Sequence, residues 1–229
     1  MKKYFNVFSV ISLALIIAVL VGDVFYILGG QLWVKSLTSA CFLGIGIVSL
    51  IYCIKHKANN LNFAITMVVG LTLAMLGDIL LEVDFIVGAI FFALGHVGYF
   101  IAYCMLCKFK WVDLIAGGVI SLASILVILL VPVFTLAPIM KVLVICYAVV
   151  ISFMLGKAVT NLIRQRNLVN LIILIGSFLF FFSDLMLLLC NFTSFAAGIR
   201  ATFGVLCLAT YYPAEILLAL SPVFTMRKN

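Results

Sequence analysis

Eight long apolar runs divide the chain, and they constrain its fold more than any other feature. A run of 18 or more apolar residues can cross the hydrocarbon core of a bilayer, about 30 Å thick, as a single helix. With 67% hydrophobic and only 9% charged residues, the chain is far more apolar than a soluble domain. We therefore predict an all-α, polytopic membrane helix bundle that forms one integral-membrane domain over residues 1–229. The eight predicted spans are residues 5–22, 34–54, 62–83, 85–106, 112–131, 138–156, 168–190 and 196–220.

The basic residues predict the orientation of the chain, because cytoplasmic loops carry an excess of Lys and Arg. With the N-terminus inside, only Lys35, Lys141 and Arg200 of the fourteen basic residues fall on the outer side. We therefore expect both termini to be cytoplasmic and the location to be a bacterial cytoplasmic (inner) membrane. The first run follows Lys2 and Lys3 but has no clear cleavage site, so we expect it to be retained as a span.

Acidic residues inside the apolar runs are the first candidates for a functional site, because a charge in the membrane is costly. Asp78 and Glu82 are one turn apart on one helix face, and Asp84 is predicted to cap the turn that follows. Asp184 lies in the seventh span. Asp78 and Asp184 each lie about 16 residues into an outward-running span, roughly 24 Å from its inner end. Equal depth allows them to meet across the bundle, although structural hydrogen bonds between helices are the alternative for both.

Two carboxyl groups in a low-dielectric site do not both ionise easily, so we expect the aspartates to share a proton. A proton donor beside a carboxylate suits acid-catalysed cleavage of an acetal or enol ether. Six further side chains are candidates to order water, or are core and interface residues: Glu82, His96, Tyr99, Tyr211, Tyr212 and Glu215. At the outer ends of two spans, Lys35 and Arg200 either bind a lipid phosphate or extend harmlessly to the interface.

Several other kinds of chemistry are disfavoured. Two histidines cannot make a three-histidine zinc site, and the C-x-x-C of Cys104 and Cys107 has no second pair. We therefore predict no metal and no cofactor. The net charge of +7 lies in short loops without interleaved aromatic residues, so we do not expect nucleic acid as a partner. Serine-elbow, P-loop and dinucleotide motifs are absent from the sequence.

A weak internal duplication is one interpretation of the span order, with halves at residues 1–110 and 111–229. Each half pairs an Asp-bearing span with a Tyr-bearing span, as in some transporters with parallel repeats. A small proton-coupled transporter or lipid-binding membrane protein is therefore the alternative function. A carrier needs acids near the midplane with access from both sides, whereas these acids cluster in the outer half.

The motifs also resemble those of a known family. L-G-D-I-L-L-E at 76–82, G-H-V-G-Y-F-I-A-Y at 95–103, F-F-F-S-D-L-M-L-L at 180–188 and Y-Y-P-A-E-I-L-L-A-L-S at 211–221 resemble the YhhN/lysoplasmalogenase family of multipass membrane proteins. Lys35, in W-V-K-S-L-T, resembles a lysine that the family carries at its second span. The resemblance implies hydrolysis of the vinyl ether bond of a lysophospholipid, with Asp78 and Asp184 as the catalytic pair. Pro213 and Glu215 depart from the family pattern, which bears on the headgroup of the substrate.

Overall fold

The structure is a computed structural model that describes residues 2–225, with side chains from residue 7 onward. Eight helices of membrane-spanning length make up the fold, and the described residues contain no β-strand, which confirms the predicted all-α bundle. The orientation in the membrane and the internal duplication stay predictions. The helices are α1 Lys2–Gly29, α2 Leu32–Lys55, α3 Leu61–Leu81, α4 Phe85–Leu106, α5 Trp111–Leu130, α6 Pro138–Arg164, α7 Leu168–Asn191 and α8 Ala197–Phe224.

Helices α1 and α6 extend furthest beyond the ends that the hydropathy pattern predicts. The first predicted span stops at residue 22, but α1 continues to Gly29. The sixth stops at residue 156, but α6 continues to Arg164. Hydropathy falls at Lys157 because the residue is charged, yet its side chain is completely buried against Asp113 of α5. A charge that has a buried partner does not end a helix, so the sixth span was predicted too short.

The helices pack mainly as sequential antiparallel pairs, and α8 returns to contact α1, α2 and α3. Helix α5 is the exception, because in residues 2–225 it packs on α6 and approaches neither α4 nor α7. The gap that this leaves beside α6 holds the candidate site.

The inner half of α5 is held close to α6. A Cβ atom built on Gly156 would lie 2.5 Å from the backbone nitrogen of Gly117, so the two backbones touch at this point. Small residues allow such close approach in membranes, where lipid removes the hydrophobic drive for helix association. One turn nearer the inner end, Lys157 donates to Asp113 at 2.7 Å, and Thr160 also donates to this carboxylate. This buried ion pair was not predicted from the sequence.

Two loops join the outer ends of α5 and α7. The loop after α5 and the loop after α7 form a short antiparallel bridge, in which the Thr135 N–H donates to the Phe192 carbonyl at 2.8 Å. The ring of Phe192 packs edge-on against Phe85 at the start of α4, with the centroids 5.0 Å apart. Helix α5 is thus fastened at both ends and stands away from α4 and α7 between them.

Candidate intramembrane active site

A cavity of about 450 Å³ lies between α4, α5, α6 and α7. Its lining is hydrocarbon except for Asp184, Tyr147 and Ser124. On α5 and α6 the innermost lining residues are Val119 and Ile151, close to the Gly117–Gly156 contact that closes this end. In the predicted orientation the lining residues lie at or beyond the middle of their helices towards the outer side, except Val119 and Ile120, which lie just before the middle of α5. The cavity is therefore placed mainly on one side of the membrane midplane.

Asp184 brings the one carboxyl group to the wall of this cavity. Its Oδ2 atom accepts a hydrogen bond from the Tyr147 hydroxyl at 2.6 Å and lies 3.3 Å from Nε2 of His96. None of the described side chains bonds to its Oδ1 atom, and the side chain is 14% exposed. One oxygen is therefore held in place while the other is available to a molecule in the cavity.

His96 lies behind Asp184 and does not line the cavity. Its Nε2 atom is 2.8 Å from the Tyr147 hydroxyl oxygen, and its ring packs against Phe180 with the centroids 4.6 Å apart. The residue is completely buried. With the single hydroxyl proton of Tyr147 donated to Asp184, Nε2 of His96 is the donor to Tyr147.

Asp78 occupies a second polar cluster, formed by α2, α3 and α8. Its Oδ2 atom accepts hydrogen bonds from the Ser39 hydroxyl at 2.5 Å and from the Tyr211 hydroxyl at 2.8 Å. The Lys35 ammonium lies 4.0 Å from its Oδ1 atom, and Asp78 is almost fully buried. The two hydroxyl donors and the nearby cation offset part of the cost of burying this carboxylate.

Lys35 joins this cluster to the outer interface. It donates to Glu82 at 2.8 Å, and Glu82 also accepts from the Tyr26 hydroxyl at 2.7 Å. Burial raises the pKa of Glu82, but the hydrogen bonds from Lys35 and Tyr26 outweigh it and leave the pKa below the usual value. The side chain of Lys35 is 5% exposed, so a lipid phosphate would have to displace Glu82 to reach it.

The two aspartates are not hydrogen-bonded to each other; each carboxyl group has its own donors. The rings of Phe180 and Tyr211 lie between the clusters, with centroids 5.3 Å apart. Sharing a proton by direct contact is therefore not the arrangement in the structure. Asp78 faces α2 and α8, whereas Asp184 faces α4 and α6, and their equal depth in the membrane stays a prediction.

The remaining candidates on α4 and α8 lie in the core and do not line the cavity. Tyr99 donates to Glu215 at 2.8 Å, and both residues are completely buried. Tyr212 packs against the ring of Tyr211, with the centroids 4.9 Å apart. A role for these three residues in ordering water stays a prediction.

The last two predicted positions, Asp84 and Arg200, lie at the N-terminal ends of α4 and α8. Asp84 caps α4, as predicted, by accepting from the backbone N–H groups of Ile86 and Val87. Arg200, in the first turn of α8, is partly buried, and no side chain in the described part of the chain pairs with it. Between the two cations predicted to bind phosphate, Arg200 is the one without an ion pair.

Tyr147 was not predicted from the sequence, but in the structure it lies at the site. It lies in the predicted sixth span without a neighbouring acid or histidine in the sequence. Its signal was weak, because a single tyrosine in an apolar run is usually a core or interface residue. Only the packing of α6 against α4 and α7 places it beside Asp184 and His96.

The fold and site together define a polytopic α-helical membrane protein in which a buried carboxyl group faces an apolar intramembrane cavity. The chain belongs to the YhhN family, whose family model matches residues 30–222. The match includes every candidate site residue from Lys35 to Glu215. Comparison with curated proteins and with solved structures finds no match.

Proposed function

We propose that the protein is an intramembrane hydrolase that cleaves the vinyl ether bond of lysoplasmalogens. The products are a fatty aldehyde and glycerophosphocholine or glycerophosphoethanolamine. The observation that carries this proposal is Asp184, a carboxyl group with one free oxygen at the wall of an otherwise hydrocarbon cavity. Such a cavity suits an alkenyl chain, and a vinyl ether needs one well-placed acid to be cleaved.

The surroundings of the two aspartates favour different roles for them. Asp184 accepts from Tyr147, lies close to His96 and has no lysine or arginine partner among the described residues, so in a hydrocarbon cavity we assign it the proton. Asp78 is close to Lys35 and accepts two hydroxyl donors, which suits a carboxylate. In our proposal Asp184 is the proton donor, and Asp78 contributes a fixed negative charge behind the aromatic rings.

The reaction balances without a metal, an oxidant or a reductant. Asp184 gives its proton to the alkenyl carbon that does not carry the ether oxygen. The π electron pair forms the new C–H bond, and an oxocarbenium ion results. Water then bonds to the cationic carbon and returns a proton to Asp184. The hemiacetal loses its hydroxyl proton as its bond to the glycerol oxygen breaks and that oxygen is protonated, which gives the aldehyde and the glycerophospho-alcohol.

Access from the bilayer follows from the placement of α5. The bridged loops lie across the C-terminal ends of α5 and α7, while the backbone of α5 stays away from that of α4 throughout the described residues. A lysolipid in the membrane therefore has a sideways path to Asp184 between these helices. Arg200 is the available cation for the phosphate at the outer surface.

The test is a product assay with purified protein and lysolipids that carry vinyl ether, saturated ether or ester linkages. We expect aldehyde from the vinyl ether only, and a loss of at least about a hundredfold in kcat for Asp184→Asn, since positioned acids contribute roughly 10²–10⁴. Asp84→Asn is the matched control, because asparagine also caps a helix and Asp84 lies outside the cavity. Full activity of Asp184→Asn would overturn this assignment. Proton-coupled uptake into vesicles without aldehyde release would favour the transporter instead.

A further inference from the structure

We infer that the hydroxyl group of Tyr147 stabilises the carboxylate that Asp184 becomes after it has given up its proton, and that His96 positions Tyr147 for this task. The inference rests on the proposed function, because it assigns a role in the same reaction. It concerns a residue that neither the motifs nor the family resemblance singles out.

Three contacts carry the inference. Tyr147 lines the cavity, and its hydroxyl donates to Oδ2 of Asp184 at 2.6 Å, so the donor points to the atom on which charge will develop. Nε2 of His96 lies 2.8 Å from the same hydroxyl oxygen. The rings of His96 and Tyr147 meet edge-on with centroids 5.4 Å apart, which limits rotation of the phenol. The donor is therefore in place before the reaction begins.

This arrangement leaves the reacting oxygen free. Because Tyr147 and His96 both approach Oδ2, the Oδ1 atom keeps its proton available to the alkenyl carbon. When that proton leaves, negative charge spreads over both oxygens, and the bond from Tyr147 strengthens. A donor that acts more strongly on the charged state lowers the barrier, whereas one that acts equally throughout does not.

The groups that face Tyr147 come from three helices. They are His96 on α4, Asp184 on α7, and Cys207 and Glu215 on α8, which interact with it electrostatically. The residues of α5 that line the cavity carry no charge. None of these groups is a cation of the lysine or arginine type, so the carboxylate of Asp184 depends on hydrogen bonds for stabilisation.

The decisive variant is Tyr147→Phe, which keeps the ring and the shape of the cavity and removes only the hydroxyl. Loss of one preorganised donor to a developing charge lowers kcat by roughly 10²–10³-fold, and we expect KM to change little. The pH dependence of kcat should also move, because the hydroxyl contacts the acid itself. Tyr103→Phe is the matched control, since it removes a buried hydroxyl bonded to Ser177 away from the cavity.

His96 is tested as a positioning residue with two variants. His96→Gln keeps an N–H near the position of Nε2 and should recover part of the kcat that His96→Leu loses. A purely structural role of His96 would instead lower protein stability in both variants without changing the pH profile of kcat.

An infrared measurement without substrate makes the inference independent of turnover. The carboxyl band that disappears in Asp184→Asn should shift in Tyr147→Phe and stay unchanged in Tyr103→Phe. If wild-type protein releases aldehyde but Tyr147→Phe keeps its kcat and its infrared band, the inference is overturned and the proposed function stands. If wild-type protein releases no aldehyde, the proposed function fails, and an unshifted band would separately refute the contact.

Discussion

The buried ion pair between Asp113 and Lys157 gives the clearest prediction about stability. Both side chains are completely inaccessible, and the ammonium lies 2.7 Å from Oδ2 of the carboxylate. The pair joins the N-terminal end of α5 to α6, and α6 is the only helix whose backbone comes close to that of α5 within residues 2–225. We therefore expect the attachment of α5, one wall of the cavity, to depend on it.

The magnitude follows from what each partner retains. Removing one member of a buried pair costs about 3–5 kcal/mol, because the other charge stays buried without compensation. In Lys157→Met, Asp113 keeps the Thr160 hydroxyl, the Lys110 backbone N–H at 2.7 Å and Arg164 at 3.5 Å, so we expect about 3 kcal/mol. In Asp113→Asn, Lys157 stays charged and keeps only neutral acceptors, the amide oxygen of the new side chain and the Lys108 carbonyl at 3.5 Å, so the loss should be larger.

The double variant Asp113→Asn/Lys157→Met separates the pair from its surroundings. It removes both charges, and the asparagine can still accept from the Lys110 backbone N–H, so most of the lost stability should return. The assay is unfolding in mixed detergent micelles followed by circular dichroism. Single variants that lie within about 0.5 kcal/mol of wild type, or a double variant that is as unstable as the sum of both, would refute the reasoning.

Two further predictions concern pH and packing. Hydrogen bonds from Lys35 and Tyr26 leave the pKa of Glu82 below its usual value despite burial, so Glu82 stabilises the folded protein above about pH 4.3. This stabilisation is lost as the pH falls through the lower pKa of the folded state. Glu82→Gln should therefore abolish this acid-dependent part of an unfolding titration. Gly156→Ala should lower the melting temperature, because its methyl group would overlap the backbone of Gly117, whereas Gly118→Ala, with open space around it, should not.

The number and type of the helices were predictable from hydropathy, and the reason is physical. In lipid every backbone polar group must be bonded within its own segment, so a long apolar run can only be a helix. The depth of Asp78 and Asp184 was also within reach, since it depends only on the rise per residue. Their angular positions were not, because these depend on which neighbour each helix face packs against.

The residues that were missed have one property in common: their partners are distant in the sequence. Tyr147 becomes a candidate site residue only through its contacts with His96 and Asp184, which are 51 and 37 residues away in the sequence. Lys157 was assigned to a loop because hydropathy includes the cost of a lysine charge in the membrane. It does not include the carboxylate of Asp113, which offsets that cost. A sequence pattern detects a residue through its neighbours along the chain, and these residues act through neighbours across the bundle.

The two aspartates show how one side chain can be suited to opposite roles within one bundle. In hydrocarbon an uncompensated charge is far more costly than a neutral acid, so the state of a carboxyl group follows from its neighbours. Asp78 has Lys35 nearby and accepts from two hydroxyl groups, and it is closed off from the cavity. Asp184 has no lysine or arginine partner among the described residues, and it faces the cavity with one oxygen free. In the proposed reaction a lipid with an acid-sensitive bond meets Asp184 in the cavity, while Asp78 stays behind the rings of Phe180 and Tyr211.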